Sequence, residues 1–152
     1  MGRYQGARTR QKGETKLLDG IARGLPPMLR ALKLQKRAAR VGFDWPEISQ
    51  VLDKMKEEAE ELAVELAREN KDQSRIQDEV GDLLFVAINL ARKAGIDPET
   101  ALQNCNRKFE NRFNYVEKNV VSKHKNFTNV SLDVMEGYWQ DAKAYDRKQT
   151  SD

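Results

Sequence analysis

From residue 25 to residue 147 the apolar positions recur at intervals of three and four, the spacing that lines them up on one side of an α-helix. Leu25-Pro26-Pro27 opens the first such segment, since proline is tolerated in a first turn. Met28, Leu29 and Leu32 form its stripe, Lys33, Lys36, Arg37 and Arg40 make its other surface basic, and Gly42 ends it. Asp44 stands as N-cap to a second helix, with Glu47 three residues on in capping-box spacing. That helix is predicted from Trp45 to Asn70, with the stripe Ile48, Val51, Leu52, Met55, Ala59, Leu62 and Leu66. Asp72 to Ser74 starts a third helix, whose stripe is Ile76, Val80, Leu83, Leu84, Ala87, Leu90 and Ala91, with Gly95 as its stop. Asp97-Pro98 caps and begins a fourth, carrying Leu102, Cys105, Phe109, Phe113, Val116 and Val120. Residues 122–130 read as a polar loop, and a final helix begins near Ser131 with Val134, Tyr138, Trp139, Ala142 and Tyr145.

No segment shows strand alternation. The short turns at 70–74 and 95–97 force neighbouring helices to run antiparallel. The expected fold is therefore all-α, an antiparallel bundle of four to five main helices over residues 25–147, with 148–152 fraying. Residues 1–24 are rich in Gly, Arg and Lys and have no period, so a flexible basic tail or linker is expected there.

Composition narrows the function. A length of 152 residues fits one domain, and 34% charged with 7% aromatic residues favours a solvated helical protein over a β-sandwich. No apolar run is long enough to span a bilayer, and nothing near Met1 resembles a secretory signal. The single cysteine, Cys105, cannot form an internal disulfide and falls on an apolar stripe, where a core position is expected. These features point to a reducing, cytoplasmic setting. The net charge of +3 divides unevenly: residues 1–24 carry +4 and the remainder −1. A sequence-independent nucleic-acid binder carries a basic face on its folded part, so dedicated nucleic-acid binding is not expected.

Two acidic pairs carry the candidate chemistry. Glu58 and Glu61 lie three apart on the second helix, and Glu79 and Asp82 three apart on the third. Measured from the centre of each stripe, Glu58 and Glu79 lie roughly 70–80° away and Glu61 and Asp82 roughly 130–140° away, on matching flanks at the rim of the core. A hairpin can bring the flanks together. Two like charges about 4 Å apart repel by about 4 kcal/mol at an effective dielectric of about 20. A hard divalent cation removes that repulsion, and oxygen-only ligands suit magnesium, manganese or calcium. The same residues also fit solvated helix flanks, and spacing leaves both readings open.

Lys108 and Arg112, four apart on the fourth helix, offer the cationic donors that a phosphate chain requires, or ordinary surface charge. Lys54 and Arg75 precede Glu58 and Glu79 by one turn, so they suit a phosphate patch or intrahelical pairing. Phe43, Trp45 and Trp139 can stack on a base or fill the core. His124, the only histidine, has no spaced partner. Glu-x-x-His, GxxxxGK[ST], GxSxG and CxxC motifs are all missing, which removes di-iron, P-loop, serine-hydrolase and zinc readings.

The stretches KRAARVGFDWPEI (36–48), DKMKEEAEEL (53–62), QDEVGDLLFVAINLARKAG (77–95) and NRKFENRFNYVE (106–117), with the late VMEGYW, resemble the MazG family of nucleoside triphosphate pyrophosphohydrolases across residues 25–145. The resemblance implies an all-α NTP pyrophosphatase fold, a homodimer, and hydrolysis of an NTP to NMP and pyrophosphate. It implies magnesium (manganese as a substitute) on Glu58, Glu61, Glu79 and Asp82, and nucleotide contacts from Lys54, Arg75, Lys108, Arg112 and Trp139. In the mechanism so expected, Lys108 and Arg112 stabilise phosphate charge and Glu61 is the candidate proton acceptor. Trp139, with Phe43 or Trp45, stacks on the base, which gives relaxed base selectivity. The likeness runs to the C-terminal domain of the family's two-domain members, with residues 1–24 resembling the interdomain linker. A nucleotide sensor without hydrolysis and a helical interaction module are the alternatives.

Overall fold

The computed structural model describes residues 15–150, in which five helices and no strand occur. They are α1 (Pro27–Ala39), α2 (Ile48–Ala67), α3 (Gln73–Lys93), α4 (Pro98–His124) and α5 (Leu132–Gln149). The all-α class and each expected helix are present. The chain divides into two compact units, Met1–Glu99 and Thr100–Asp152.

In the first unit, α1 and α3 stop in the same way. Gly42 and Gly95 hold φ of +85° and +71°, a conformation that a Cβ would strain. The next residues then reach back, Phe43 N–H to the Ala38 carbonyl at 3.2 Å and Ile96 N–H to the Ala91 carbonyl at 2.8 Å. Asp72 caps α3, its carboxylate accepting from the Ser74 and Arg75 amides at 3.0 and 3.4 Å.

The start of α2 corrects the expected boundary. Asp44 is not its cap; it is held by Arg92 and Lys93 of α3. Pro46 keeps Trp45 out of the helical region, and the helix begins only after Glu47, whose amide donates to Gln50 Oε1 at 3.1 Å. At the other end Arg68 is extended, so α2 closes at Ala67 rather than near Asn70.

Cross-helix partners show that α2 and α3 are antiparallel: Glu58 and Glu61 meet Glu79, while Glu65 near the end of α2 meets Arg75 near the start of α3. Gln35 of α1 donates to the Phe85 carbonyl at 2.9 Å and ties α1 to α3. The buried apolar residues of this unit are Ile21, Leu32, Val51, Val86 and Ile88.

Two further readings change. Part of the segment taken for a tail is folded: Arg37 donates to the Leu17 and Asp19 carbonyls at 2.9 and 3.0 Å, and Ile21 is buried. Arg3, Arg8, Arg10 and Lys12 of that segment lie outside the described residues. The buried line of α2 is Val51, Glu58 and Glu65, seven apart, rather than the full apolar stripe. Leu52, Leu66, Val80 and Leu84 of the expected stripes are exposed in the single chain.

In the second unit, α4 and α5 run antiparallel, Arg112 meeting Asp146 near the end of α5 and His124 at the end of α4 meeting Tyr138 near the start of α5. Val116, Val120 and Ala142 are buried between them. His124 is the last residue of α4 rather than a loop residue, and Cys105 is exposed rather than core: it shares the stripe of Val116 and Val120 but lies about three turns before Val116, toward the start of α4.

Val51 has no exposed surface, so Val51→Ala is expected to cost about 2 kcal/mol through lost burial and a residual cavity. Urea unfolding followed by far-UV circular dichroism measures it, and a loss below about 0.5 kcal/mol would mean that Val51 is not central to the packing.

Candidate active site

The α2–α3 hairpin gathers acids where a core would normally be apolar. One carboxylate oxygen from each of Glu58, Glu61 and Glu79 lies within 4.8 Å of the others. Glu58 is 5% exposed, placed in the helix seam and not at its rim as the angular reading expected. Glu79 is half-buried and Glu61 is exposed. Asp82, one turn beyond Glu79, is outside this tight group but feels the negative charge of Glu58. Among the described residues the cation bonded to the group is Lys54, 2.9 Å from Glu58 and 3.1 Å from Glu57.

The electrostatics follow from that shortage of positive charge. Loss of hydration and then the charge of Glu58 raise the carboxyl pKa values of Glu61, Glu79 and Asp82 above their ordinary range. Lys54 is pushed the opposite way, toward a more persistent positive charge, by its bonds to Glu58 and Glu57. Glu58 Oε2 and Glu79 Oε2 are buried without a hydrogen-bond partner among the described residues. Hard oxygen donors, converging and under-compensated, are the donor set that a divalent cation fits.

Beside the acids lies a cavity of about 600 Å³. Lys54, Glu58 and Asp82 line it at one end. Phe43, Trp45, Asn89 and Arg92 line it farther along, with Phe85 and Val86 between. Phe43 is 81% exposed and so is no core residue. The α1–α2 loop that carries both aromatics is anchored where Asp44 accepts from Arg92 and, at 3.3 Å, from Lys93. Those bonds, Arg92 first, hold the Asp44 carboxyl below its ordinary pKa.

The remaining expected residues are placed as follows. Arg75 is exposed, 3.8 Å from both Asp72 and Glu65, and does not pair with Glu79. In the second unit Lys108 is exposed on α4. Arg112 donates to Asp146 at 2.8 Å and lies over the Trp139 ring, 5.9 Å from its centroid. Trp139 also packs on Phe109, with centroids 5.4 Å apart.

Residues 47–117 match the family described as "MazG nucleotide pyrophosphohydrolase domain". All four acids fall inside that match. The chain carries a MazG domain. It is 46% identical over 133 residues to the nucleoside triphosphate pyrophosphohydrolase of Escherichia coli K12, a match covering 88% of this chain and 51% of that protein. It is 32% identical over 145 residues to the nucleoside triphosphate pyrophosphohydrolase/pyrophosphatase MazG of Thermotoga maritima, covering 94% and 55%. The uncharacterised YabN of Bacillus subtilis is 37% identical over 135 residues, covering 89% of this chain and 27% of its own length. The chain thus spans about half the length of the first two relatives.

Around the MazG domain's acids the structure adds residues that spacing did not single out. Glu65 is buried, paired with Arg68 at 3.0 Å, and leaves Oε2 without a partner. Its signal was its place seven residues after Glu58. Gln35, Asn89 and the Asp44–Arg92 pair had no signal, because nothing local marks an α1, α3 or loop residue as facing a shared cavity.

A pH test follows for the metal-free MazG domain. Glu61, Glu79 and Asp82 hold protons to higher pH folded than unfolded, so the folded state binds more protons above the unfolded carboxyl range of about 4 to 4.5. Stability then falls as pH rises through the raised values. With chelator present, the melting temperature is expected to fall as pH rises from the unfolded carboxyl range of about 4 to 4.5 through the raised values, and magnesium should shrink that fall. A melting temperature that rises over this interval in chelator would contradict the assignment.

Proposed function

We propose that this chain hydrolyses nucleoside triphosphates to the monophosphate and pyrophosphate, with Glu58, Glu61, Glu79 and Asp82 holding magnesium, or manganese in its place. One observation carries the reading: Glu58 belongs both to the carboxylate group and to the wall of the adjoining cavity. A cation site for a triphosphate and a partly apolar chamber for a nucleoside are therefore contiguous. The names of the Escherichia coli and Thermotoga relatives support the same chemistry.

Magnesium bound there supplies positive charge for the triphosphate oxygens and acidifies water. The chain's own residues do the rest. Glu61 is exposed, so water reaches it, and it is the proposed base for the water that attacks the α-phosphorus. The new P–O bond forms as the α–β bridging bond breaks, and pyrophosphate leaves with the electron pair. Lys54 fixes Glu58 and faces the cavity, where it meets phosphate. Arg75, Lys108, Arg112 and Trp139 keep the nucleotide-contact roles that the family resemblance gives them. Phe43 and Trp45 flank the base, and stacking alone leaves base selectivity relaxed.

Glu79→Ala and Asp82→Ala should each lower turnover at least about 100-fold with helix content unchanged. Product analysis with ATP, GTP, CTP and UTP in magnesium and in chelator checks this. Diphosphate and free phosphate as products would point to another reaction, and nucleotide binding without pyrophosphate release would favour a sensor.

We also propose a homodimer. Val80 and Leu84 lie one turn apart on α3, both exposed in the single chain, and a second copy is the proposed cover. Leu84→Glu should convert the sedimenting species from two chains to one, while a wild-type chain that sediments as a monomer at every concentration would refute the dimer.

A further inference from the structure

Asn89 lines the cavity two helical turns beyond Asp82 on the same face of α3, with Phe85 and Val86 between them. At 1.5 Å of rise per residue the two are about 10 Å apart along the helix, the distance from a phosphate-binding end to the base of a nucleoside. The amide of Asn89 has one orientation. Its Oδ1 accepts from Arg92 Nε at 3.1 Å and from Arg92 Nη2 at 2.9 Å. Arg92 is a donor only, so the side-chain nitrogen of Asn89 must be on the opposite side. Arg92 is itself held by the carboxylate of Asp44, which prevents the guanidinium from swinging away. The Asn89 Nδ2 hydrogens find no acceptor among the described residues, and the nitrogen is not among the buried polar atoms lacking a partner. A fixed and accessible N–H pair is therefore left beside the chamber.

We propose that Asn89 reads the base edge and favours bases with a keto oxygen over those with an amino group at the same place, that is, 6-oxopurines and 4-oxopyrimidines. Because this assignment presupposes a nucleoside in the cavity, it deepens the function proposed above. A keto oxygen accepts from Nδ2. An amino group would set donor against donor, and the fixed amide cannot turn over to relieve it without losing both bonds from Arg92. One such contact corresponds to a preference of about tenfold, a bias laid over otherwise permissive stacking.

The test compares kcat/KM for ITP against ATP and for UTP against CTP. Each pair differs chiefly in keto or amino at the position in question. Wild type should favour ITP and UTP by about tenfold. Asn89→Ala should bring both ratios toward one. Asn89→Asp, which keeps an oxygen for Arg92 and offers a second to an amino group, should invert them. Equal loss on all four substrates in both variants would mean a structural role and overturn the proposal, as would a wild type that prefers ATP and CTP. If wild type releases no pyrophosphate from any of the four, the enzymatic reading fails. Calorimetric affinities for the same nucleotides then decide the Asn89 assignment separately, with the same ratios expected and their absence refuting it.

Discussion

The α2–α3 hairpin is governed by like-charge repulsion confined in a helix seam. Glu58 sits where a leucine would make a better core, and Glu61, Glu79 and Asp82 lie within reach of its charge. Among the described residues a single lysine, Lys54, answers them directly. Buried charge of one sign costs stability unless it is compensated, and structures retain such an arrangement where a ligand supplies the missing charge. The raised carboxyl pKa values and the orphaned oxygens of Glu58 and Glu79 are two expressions of this one deficit.

The rest of the first unit holds that seam in register. Asp72 caps α3 and fixes where it starts, so that Glu79 arrives level with Glu58 and Glu61. Gly95 and Gly42 end α3 and α1 in short reversals. Arg92 joins the end of α3 to Asp44, which sets the path of the loop bearing Phe43 and Trp45. A chamber with charge at one end and aromatic walls at the other results from these few ties. It resembles the division of a nucleotide itself into a charged chain and a flat, largely apolar ring.

The second unit shows a different economy. Arg112 is held at its Nε by Asp146 and stands over Trp139, which itself leans on Phe109. A guanidinium oriented from one edge keeps its other edge available, an arrangement suited to bidentate contact with an oxyanion. The same packing makes Trp139 a support for a cation as well as an aromatic surface.

Periodicity alone determined the five helices, and Gly95, Asp72 and Pro98 marked their ends, because backbone conformation and cap chemistry are local. The spacing of Glu58, Glu61, Glu79 and Asp82 was also legible, since a helix converts separation in sequence into a shared face. The tertiary structure decided three things that spacing left open. It put Glu58 in the seam, because hairpin rotation follows total packing and not the centre of one stripe. It gave Asp44 to Arg92 rather than to the cap of α2, because a distant charge outbid a local amide. It brought Gln35, Asn89 and the two loop aromatics to one cavity, a convergence of segments far apart in the chain that no window of sequence contains.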